Sequence, residues 1–149
     1  MSTPSITQPA MTQPAALAAA VSVEHQVIYG YGVAGARLVG ADRRAALQAL
    51  GAHRVRRDQL VALLRPAAAP AAAPAYALPF PVTDTASARR LCAQLEDGCA
   101  GAAWDLAAAA GPGRPARALA VGWLADAAGR AAHWRGGEAA NPALPGAPA

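Results

Sequence analysis

Several residue types are scarce or missing in this chain, and each absence narrows the fold and the function. There is no lysine, so all 13 basic residues are arginines; they outnumber the nine acids and give a net charge of +4. Aromatic residues make up only 5 % of the 149 residues. Long runs of β-branched residues are absent, which argues against a sheet-rich fold. No continuous apolar run reaches the roughly 20 residues that a membrane-spanning helix needs.

Cysteine is also scarce, and the two that occur cannot pair with each other inside a helix. Cys92 and Cys99 are seven residues apart, about 10 Å of helical rise, whereas a disulfide needs Cα atoms within about 7 Å. Their spacing matches no metal-binding pattern, so we expect two buried core thiols. The amino terminus lacks the basic region of a signal peptide. These absences predict a soluble cytoplasmic protein.

Alanine is the most abundant feature of the sequence. Hydrophobic residues make up 54 % of the chain, much of it alanine, the strongest helix former. The length suits one domain with a real core. We therefore predict an all-α domain over residues 13–137, between disordered tails at residues 1–12 and 138–149. Met11 is an alternative start that would remove only tail.

Helix signals divide this domain into four segments. Small or apolar residues recur at alternating spacings of three and four, Pro66 stops the second segment, and glycines end the first and the fourth. The predicted helices cover residues 13–38, 43–65, 85–110 and 114–135, with N-caps at Thr12, at Asp42 and at Thr83 or Asp84.

A proline-punctuated segment, residues 66–82, separates the second and third helices. In a polyproline II conformation it reaches ~50 Å, farther than the ~36 Å length of a 24-residue helix. The chain can therefore return along a whole helix, which predicts two helical hairpins joined by a long Pro/Ala-rich crossover. Apolar side chains alternate in this segment, and we expect them to lie against the bundle: Tyr76, Leu78, Phe80 and Val82.

The inward face of each predicted helix contains polar residues. A buried carboxylate such as Glu24 must be paired, protonated or bound to a metal, because an isolated buried charge is too costly. Glu96 is expected at the edge of the third inward face. The predicted inward faces are Leu17, Val21, Glu24, Ile28, Tyr31, Gly35 and Leu38; Ala46, Leu50, His53, Arg57, Leu60 and Leu64; Leu91, Leu95, Ala102 and Leu106; and Leu119, Trp123, Asp126, Arg130 and Trp134.

Five motifs over residues 14–137 resemble a known family, the ferritin-like domain of unknown function common in actinobacteria. The most specific is Tyr76-Ala-Leu-Pro-Phe-Pro-Val-Thr-Asp84. The family has no assigned activity, and the resemblance implies a ferritin-like four-helix bundle. The other motifs are Ser22-Val-Glu24-His25 with Tyr29-Gly-Tyr31-Gly32, Ala52-His53-Arg-Val-Arg56-Arg57-Asp58, Leu95-Glu96-Asp97-Gly98 and Ala131-Ala-His133-Trp134-Arg135-Gly136.

The resemblance also indicates which metal ligands are missing. In iron-loading relatives, helices 1 and 3 each give a Glu, and helices 2 and 4 each give Glu-x-x-His. Glu24 and Glu96 match the first pair, but neither Glu-x-x-His motif is present. Our hypothesis is that arginine replaces the metal and that no cofactor is bound. The predicted buried network, at vestigial metal-site positions, comprises Glu24, His53, Arg57, Glu96, Asp126 and Arg130.

Two functions from different classes follow. The first is a metal-free binding or structural module, with a homodimer and an unknown protein or small molecule as the expected partners. The alternative is a degenerate or mononuclear iron or manganese oxidoreductase using Glu24, His53 and Glu96. We favour the first, because the Glu-x-x-His motifs are missing and Ser22 and Ser87 lack a nucleophile's base. The arginines point to several helix faces, so neither nucleic acid nor a membrane is an expected partner.

Overall fold

A computed structural model describes residues 10–136, which form four α-helices and no strand. This confirms the predicted all-α four-helix bundle. The predicted tails lie almost entirely outside the described residues and stay a prediction. The helices are α1 (Gln13–Gly35), α2 (Gly40–Leu64), α3 (Thr85–Ala110) and α4 (Pro115–Trp134), with a 3-10 turn at Pro66–Ala68.

The start of α2 differs from the prediction. Asp42 is not its N-cap: Val39 occupies that position, and the helix begins at Gly40. Gly40 has a φ of +55°, a conformation that glycine adopts without steric cost, so the helix can begin earlier than the polar signal suggests. Asp42 then lies in the first turn, where its carboxylate pairs with Arg89 of α3 at 2.6 Å.

The other helix starts agree with the prediction. The Thr12 side chain accepts a hydrogen bond from the Ala15 amide at the start of α1. Asp84 begins α3 in a capping box, in which its carboxylate accepts from the Ser87 amide and the Ser87 hydroxyl accepts from the Asp84 amide. This reciprocal pair satisfies two amides that have no partner within the helix.

Contacts between helices confirm the two hairpins and the crossover. α1 packs against α2 and α3, and α3 packs against α4. α2 and α3 run in the same direction, because Asp42 meets Arg89 near both helix starts and His53 meets Glu96 farther along. The crossover returns the chain with Val82 buried and with Tyr76, Leu78 and Phe80 partly buried, while residues 77, 79 and 81 are exposed. This alternation matches the prediction.

Several predicted core positions are wrong, because alanine occurs on every face of these helices and so does not mark the face that is buried. Leu119 is exposed, and Ile28, Gly35 and Leu50 are only partly buried. The prediction placed the large apolar residues on the inward face. In α4 the buried face instead combines two tryptophans with small side chains, which allow close packing. The buried residues of α4 are Ala116, Ala120, Trp123, Ala127, Ala131 and Trp134.

The core consists of two apolar clusters. One contains Val27 and Tyr31 of α1, and the other contains Leu17 and Val21. Glu24 lies between them on α1, as does His53 between Ala49 and Leu60 on α2. The polar side chains therefore occupy a layer across the middle of the bundle. Within residues 10–136, no helix is long and apolar enough to cross a membrane.

Candidate functional site

His53 lies at the centre of this polar layer. Its side chain is fully buried, and each ring nitrogen faces a carboxylate: Nδ1 lies 2.8 Å from Glu24 Oε2, and Nε2 lies 3.0 Å from Glu96 Oε1. A neutral imidazole has one N–H, so two such hydrogen bonds require an imidazolium or a protonated carboxyl group. Burial lowers the pKa of His53, but the hydrogen bonds to Glu24 and Glu96 outweigh it, so the pKa is raised above 6.5. The geometry favours the imidazolium.

Glu96 is held by a chain of aromatic donors. The Tyr31 hydroxyl donates to Glu96 Oε1 at 2.5 Å and accepts from Trp134 Nε1 at 2.8 Å. The Tyr31 ring also stacks on the His53 ring. Burial and the Glu96 charge raise the pKa of Tyr31 far above its usual value, so the phenol keeps its proton. Glu96 was predicted at the edge of the inward face, but it is fully buried.

Arg56 takes the place predicted for Arg57. Its NH1 lies 3.6 Å from Glu24 Oε1, and its guanidinium lies over the Trp123 ring. Arg57 instead points outward and pairs with Asp58 at 2.8 Å. The prediction failed because steps of three and four residues both keep to one helix face. Arg56, three residues after His53, points into the polar layer, whereas Arg57, four residues after His53, points outward.

Asp126 and Arg130, both on α4, lie at the rim of the layer. The Asp126 side chain is 59 % exposed and pairs with Arg56 NH2 at 3.6 Å, so its predicted burial is wrong. Arg130 NH1 lies 3.9 Å from Glu96 Oε2, too far for a hydrogen bond. Asp126 and Arg130 are thus the members of the network with the most exposed side chains, at 59 % and 27 %.

Cys99 belongs to the site, although the sequence analysis predicted it only as a buried core thiol. Its Sγ lies 4.0 Å from both Glu24 Oε1 and His53 Nδ1. One donor atom from each of Glu24, His53 and Cys99 lies within 4.8 Å of the others. Burial raises the pKa of the Cys99 thiol well above 9. The signal that could have placed Cys99 here is its position three residues after Glu96, on the same helix face. His25 points away and contacts the Pro70 carbonyl oxygen.

The residues do not fit the dinuclear metal centre of iron-loading ferritin-like proteins. Both His53 nitrogens already face carboxylates, and guanidinium groups approach both carboxylates. Three acids and three bases of the layer balance in charge when His53 is protonated, so a pair of divalent ions would leave a large positive excess in the interior. The acids are Glu24, Glu96 and Asp126, and the bases are His53, Arg56 and Arg130.

Comparisons with known proteins give a family and a fold. The family model described as "Domain of unknown function (DUF4439)" matches residues 16–149. The crystal structure of a conserved hypothetical protein, rv2844, from Mycobacterium tuberculosis is similar to this chain at 34 % identity, with a TM-score of 0.78. The match covers 83 % of this chain and 94 % of that chain. No curated protein matches.

Proposed function

The chain belongs to the DUF4439 family, and we propose that it is a metal-free, ferritin-like bundle acting as a binding or structural module. In this proposal the buried Glu/His/Arg network replaces a di-iron centre, and the protein is not an oxidoreductase. One observation carries the proposal: the fully buried His53 uses both ring nitrogens on Glu24 and Glu96. A histidine that binds a metal keeps one nitrogen for the ion.

The ferritin-like part of the proposal is supported by topology. Two hairpins are joined by one long crossover, and carboxylates from α1 and α3 meet in the middle of the bundle. Ferritin-like proteins combine the same connectivity with inward-pointing carboxylates. In this chain the inward positions of α2 and α4 carry His53, Arg56 and Arg130. Arginine suits this role because its rigid guanidinium always carries charge.

The test combines metal analysis with removal of one carboxylate. We expect untagged protein from cells supplemented with iron and manganese to contain less than about 0.1 metal ion per chain. We expect Glu24→Ala to lower the free energy of unfolding by about 3–5 kcal/mol, because it removes one partner from a buried charge network. Chemical denaturation monitored by circular dichroism measures this difference.

Asp58→Ala is the matched control, since Asp58 is an exposed acid in a surface pair. We expect it to change the stability by less than about 0.5 kcal/mol. One or two metal ions per chain would overturn the proposal. An unchanged melting temperature in Glu24→Ala would also contradict it.

One observation favours a second candidate, a mononuclear metal site. The donor atoms of Glu24, His53 and Cys99 lie close enough to surround one ion, so Cys99 joins Glu24 and His53 of the alternative ligand set predicted from the sequence. Such a site requires a deprotonated thiol, whereas burial raises the pKa of Cys99. Cobalt(II) titration distinguishes the two candidates, because thiolate coordination produces a charge-transfer absorption that Cys99→Ser abolishes.

A further inference from the structure

Of the four sides of the bundle, the side between α2 and α4 is the least closely packed in the part of the chain that the structure describes. Among the described residues, α1 packs on α2 and α3, and α3 packs on α4, while α2 and α4 make no comparable contact. The long side chain of Arg56 crosses this side to reach Asp126. Nearer the start of α2, a cavity of about 380 Å³ separates the two helices. We propose that this cleft binds a small organic anion, a carboxylate with a flat apolar body.

The shape and lining of the cleft suit such a ligand. Its volume lies within the range of small-molecule sites. The walls offer an apolar surface, one amide, one indole ring and two basic side chains. They are formed by Ala45, Gln48, Ala49, Arg130, His133 and Trp134.

The charge of the residues that line the cleft favours an anion as its ligand. None of the six lining residues is acidic, and Arg130 carries a permanent positive charge. The His133 side chain is exposed beside it. Trp134, which is 3 % exposed, lines the cleft together with the methyl groups of Ala45 and Ala49, and these residues form its apolar part. A carboxylate on an aromatic ring would therefore have its charge at Arg130 and its ring against Trp134.

Arg130 has hydrogen-bonding capacity that the protein itself does not use. Its NH1 atom is buried without a hydrogen-bond partner, and so is the Oε2 atom of the fully buried Glu96, 3.9 Å away. Glu96 therefore holds the guanidinium in place by charge without occupying its donors. Buried polar groups normally have a partner. Nη1 faces Glu96 in the interior, while the Arg130 side chain as a whole is 27 % exposed, so a ligand carboxylate in the cleft would meet the exposed part of this charged side chain.

This inference rests on the proposed function, since Arg130 belongs both to the metal-free network and to the cleft. The test uses benzoate as the probe and the full chain as the protein. We expect saturable binding in NMR titrations, with a shift of the Trp134 indole N–H signal and none of the Trp104 signal, because Trp104 does not line the cleft. We expect acetate, which lacks the ring, to bind at least tenfold more weakly.

Matched variants identify the charge that matters. We expect Arg130→Gln to weaken benzoate binding at least tenfold, whereas Arg54→Gln, at an exposed position of α2, leaves binding unchanged. Circular dichroism confirms that each variant is folded, and Arg130→Lys, which keeps the charge, tests the cleft should the glutamine variant fail to fold. Equal binding by the wild type and folded Arg130→Gln, loss of binding in Arg130→Lys as complete as in a variant without the charge, or no saturable shift with benzoate would overturn the proposal.

Metal analysis of the same samples separates the two proposals. Bound metal together with benzoate binding at Arg130 would contradict the metal-free function and keep the cleft. Metal-free protein that does not bind benzoate would agree with the metal-free function and contradict the cleft as an anion site.

Discussion

Two adjacent arginines of α2 have opposite surroundings. The Arg56 guanidinium is buried between Glu24 and the Trp123 ring, and it reaches Asp126 at the rim. The Arg57 guanidinium contacts Asp58 at the surface, where the Asp58 side chain is 68 % exposed. Exposed ion pairs add little stability, whereas removing one partner of a buried pair leaves an uncompensated charge. The two positions therefore provide an internal comparison.

We predict that Arg56→Met lowers the free energy of unfolding by about 3 kcal/mol, because Glu24 loses its neighbouring cation in the interior. Arg57→Met, the same change one residue later, should stay within about 0.5 kcal/mol of the wild type. Urea denaturation of the three proteins at pH 7 measures the difference. Equal stability of the two variants would show that Arg56 does not support the network.

The protonation of His53 predicts how stability depends on pH. Its pKa is raised in the folded protein, so the folded state holds the proton more tightly than the unfolded state. The stability gained from this proton is complete below the unfolded value of 6.5. It is lost as the pH rises through the higher folded value.

We therefore expect the free energy of unfolding to fall as the pH rises above 6.5, and His53→Gln to flatten this slope. Denaturation at half-unit pH steps tests the prediction. His25→Gln is the control, because His25 contacts only the Pro70 carbonyl oxygen at the edge of the crossover. A slope of equal size in His53→Gln would assign the pH dependence to another group.

At the scale of the helix, two glycines of α1 have different surroundings. An added Cβ at Gly30 would lie 2.6 Å from Leu95 Cδ1 of α3, whereas at Gly32 it would meet nothing within 4 Å. Gly30 thus allows α3 to approach closely. Gly32 is exposed and only weakens the helix, since glycine costs about 1 kcal/mol relative to alanine in a helix interior.

We predict that Gly32→Ala raises the free energy of unfolding by about 0.5–1 kcal/mol. Gly30→Ala should be less stable than Gly32→Ala by at least about 1 kcal/mol, because Leu95 must move. Shortening that neighbour in Gly30→Ala/Leu95→Val should recover part of the loss. Thermal unfolding of the three variants provides the measurement, and equal effects of the two alanines would contradict the close approach.

At the scale of the whole molecule, the polar layer lies between two apolar clusters. Buried ion networks are costly to form, and replacing a whole network by apolar residues of similar volume is often neutral or stabilising. The stability of the bundle therefore need not depend on the layer as a unit, even though each single charge depends on its partners. If the bundle stays stable when the layer is replaced as a unit, the layer is not needed for folding.

We predict that the combined change Glu24→Met, His53→Leu, Arg56→Met and Glu96→Met keeps the helix content and has a higher free energy of unfolding than Glu24→Ala, because these four charges are removed together and none of them is left buried alone. The Tyr31 hydroxyl loses Glu96 as its acceptor, which costs about 1–3 kcal/mol and offsets part of the gain. The Tyr31–Trp134 hydrogen bond stays in this variant. Circular dichroism and calorimetry test the prediction. Loss of cooperative unfolding would show that the layer specifies the packing of the bundle.

The sequence by itself determined the helical elements and the topology. Alanine content, the capping residues Thr12 and Asp84, the stop at Pro66 and the length of the crossover are local or nearly local properties. They predict four helices in two hairpins without knowledge of the packing. Glu24 and His53 were also predicted to face inward, because polar residues on inward faces differ clearly from their apolar neighbours, whereas Glu96 was added to them through the family resemblance.

Only the tertiary structure decided which neighbours complete the site. Helical spacing permits either Arg56 or Arg57 to face inward, and the approach of Glu24 and Trp123 selects Arg56. The buried face of α4 consists mostly of alanines, which the sequence does not distinguish from exposed ones, so Asp126 was wrongly predicted to be buried. The roles of Cys99 and of the α2–α4 cleft depend on distances between helices. Those distances are set by the packing of all four helices at once, which no single stretch of sequence determines.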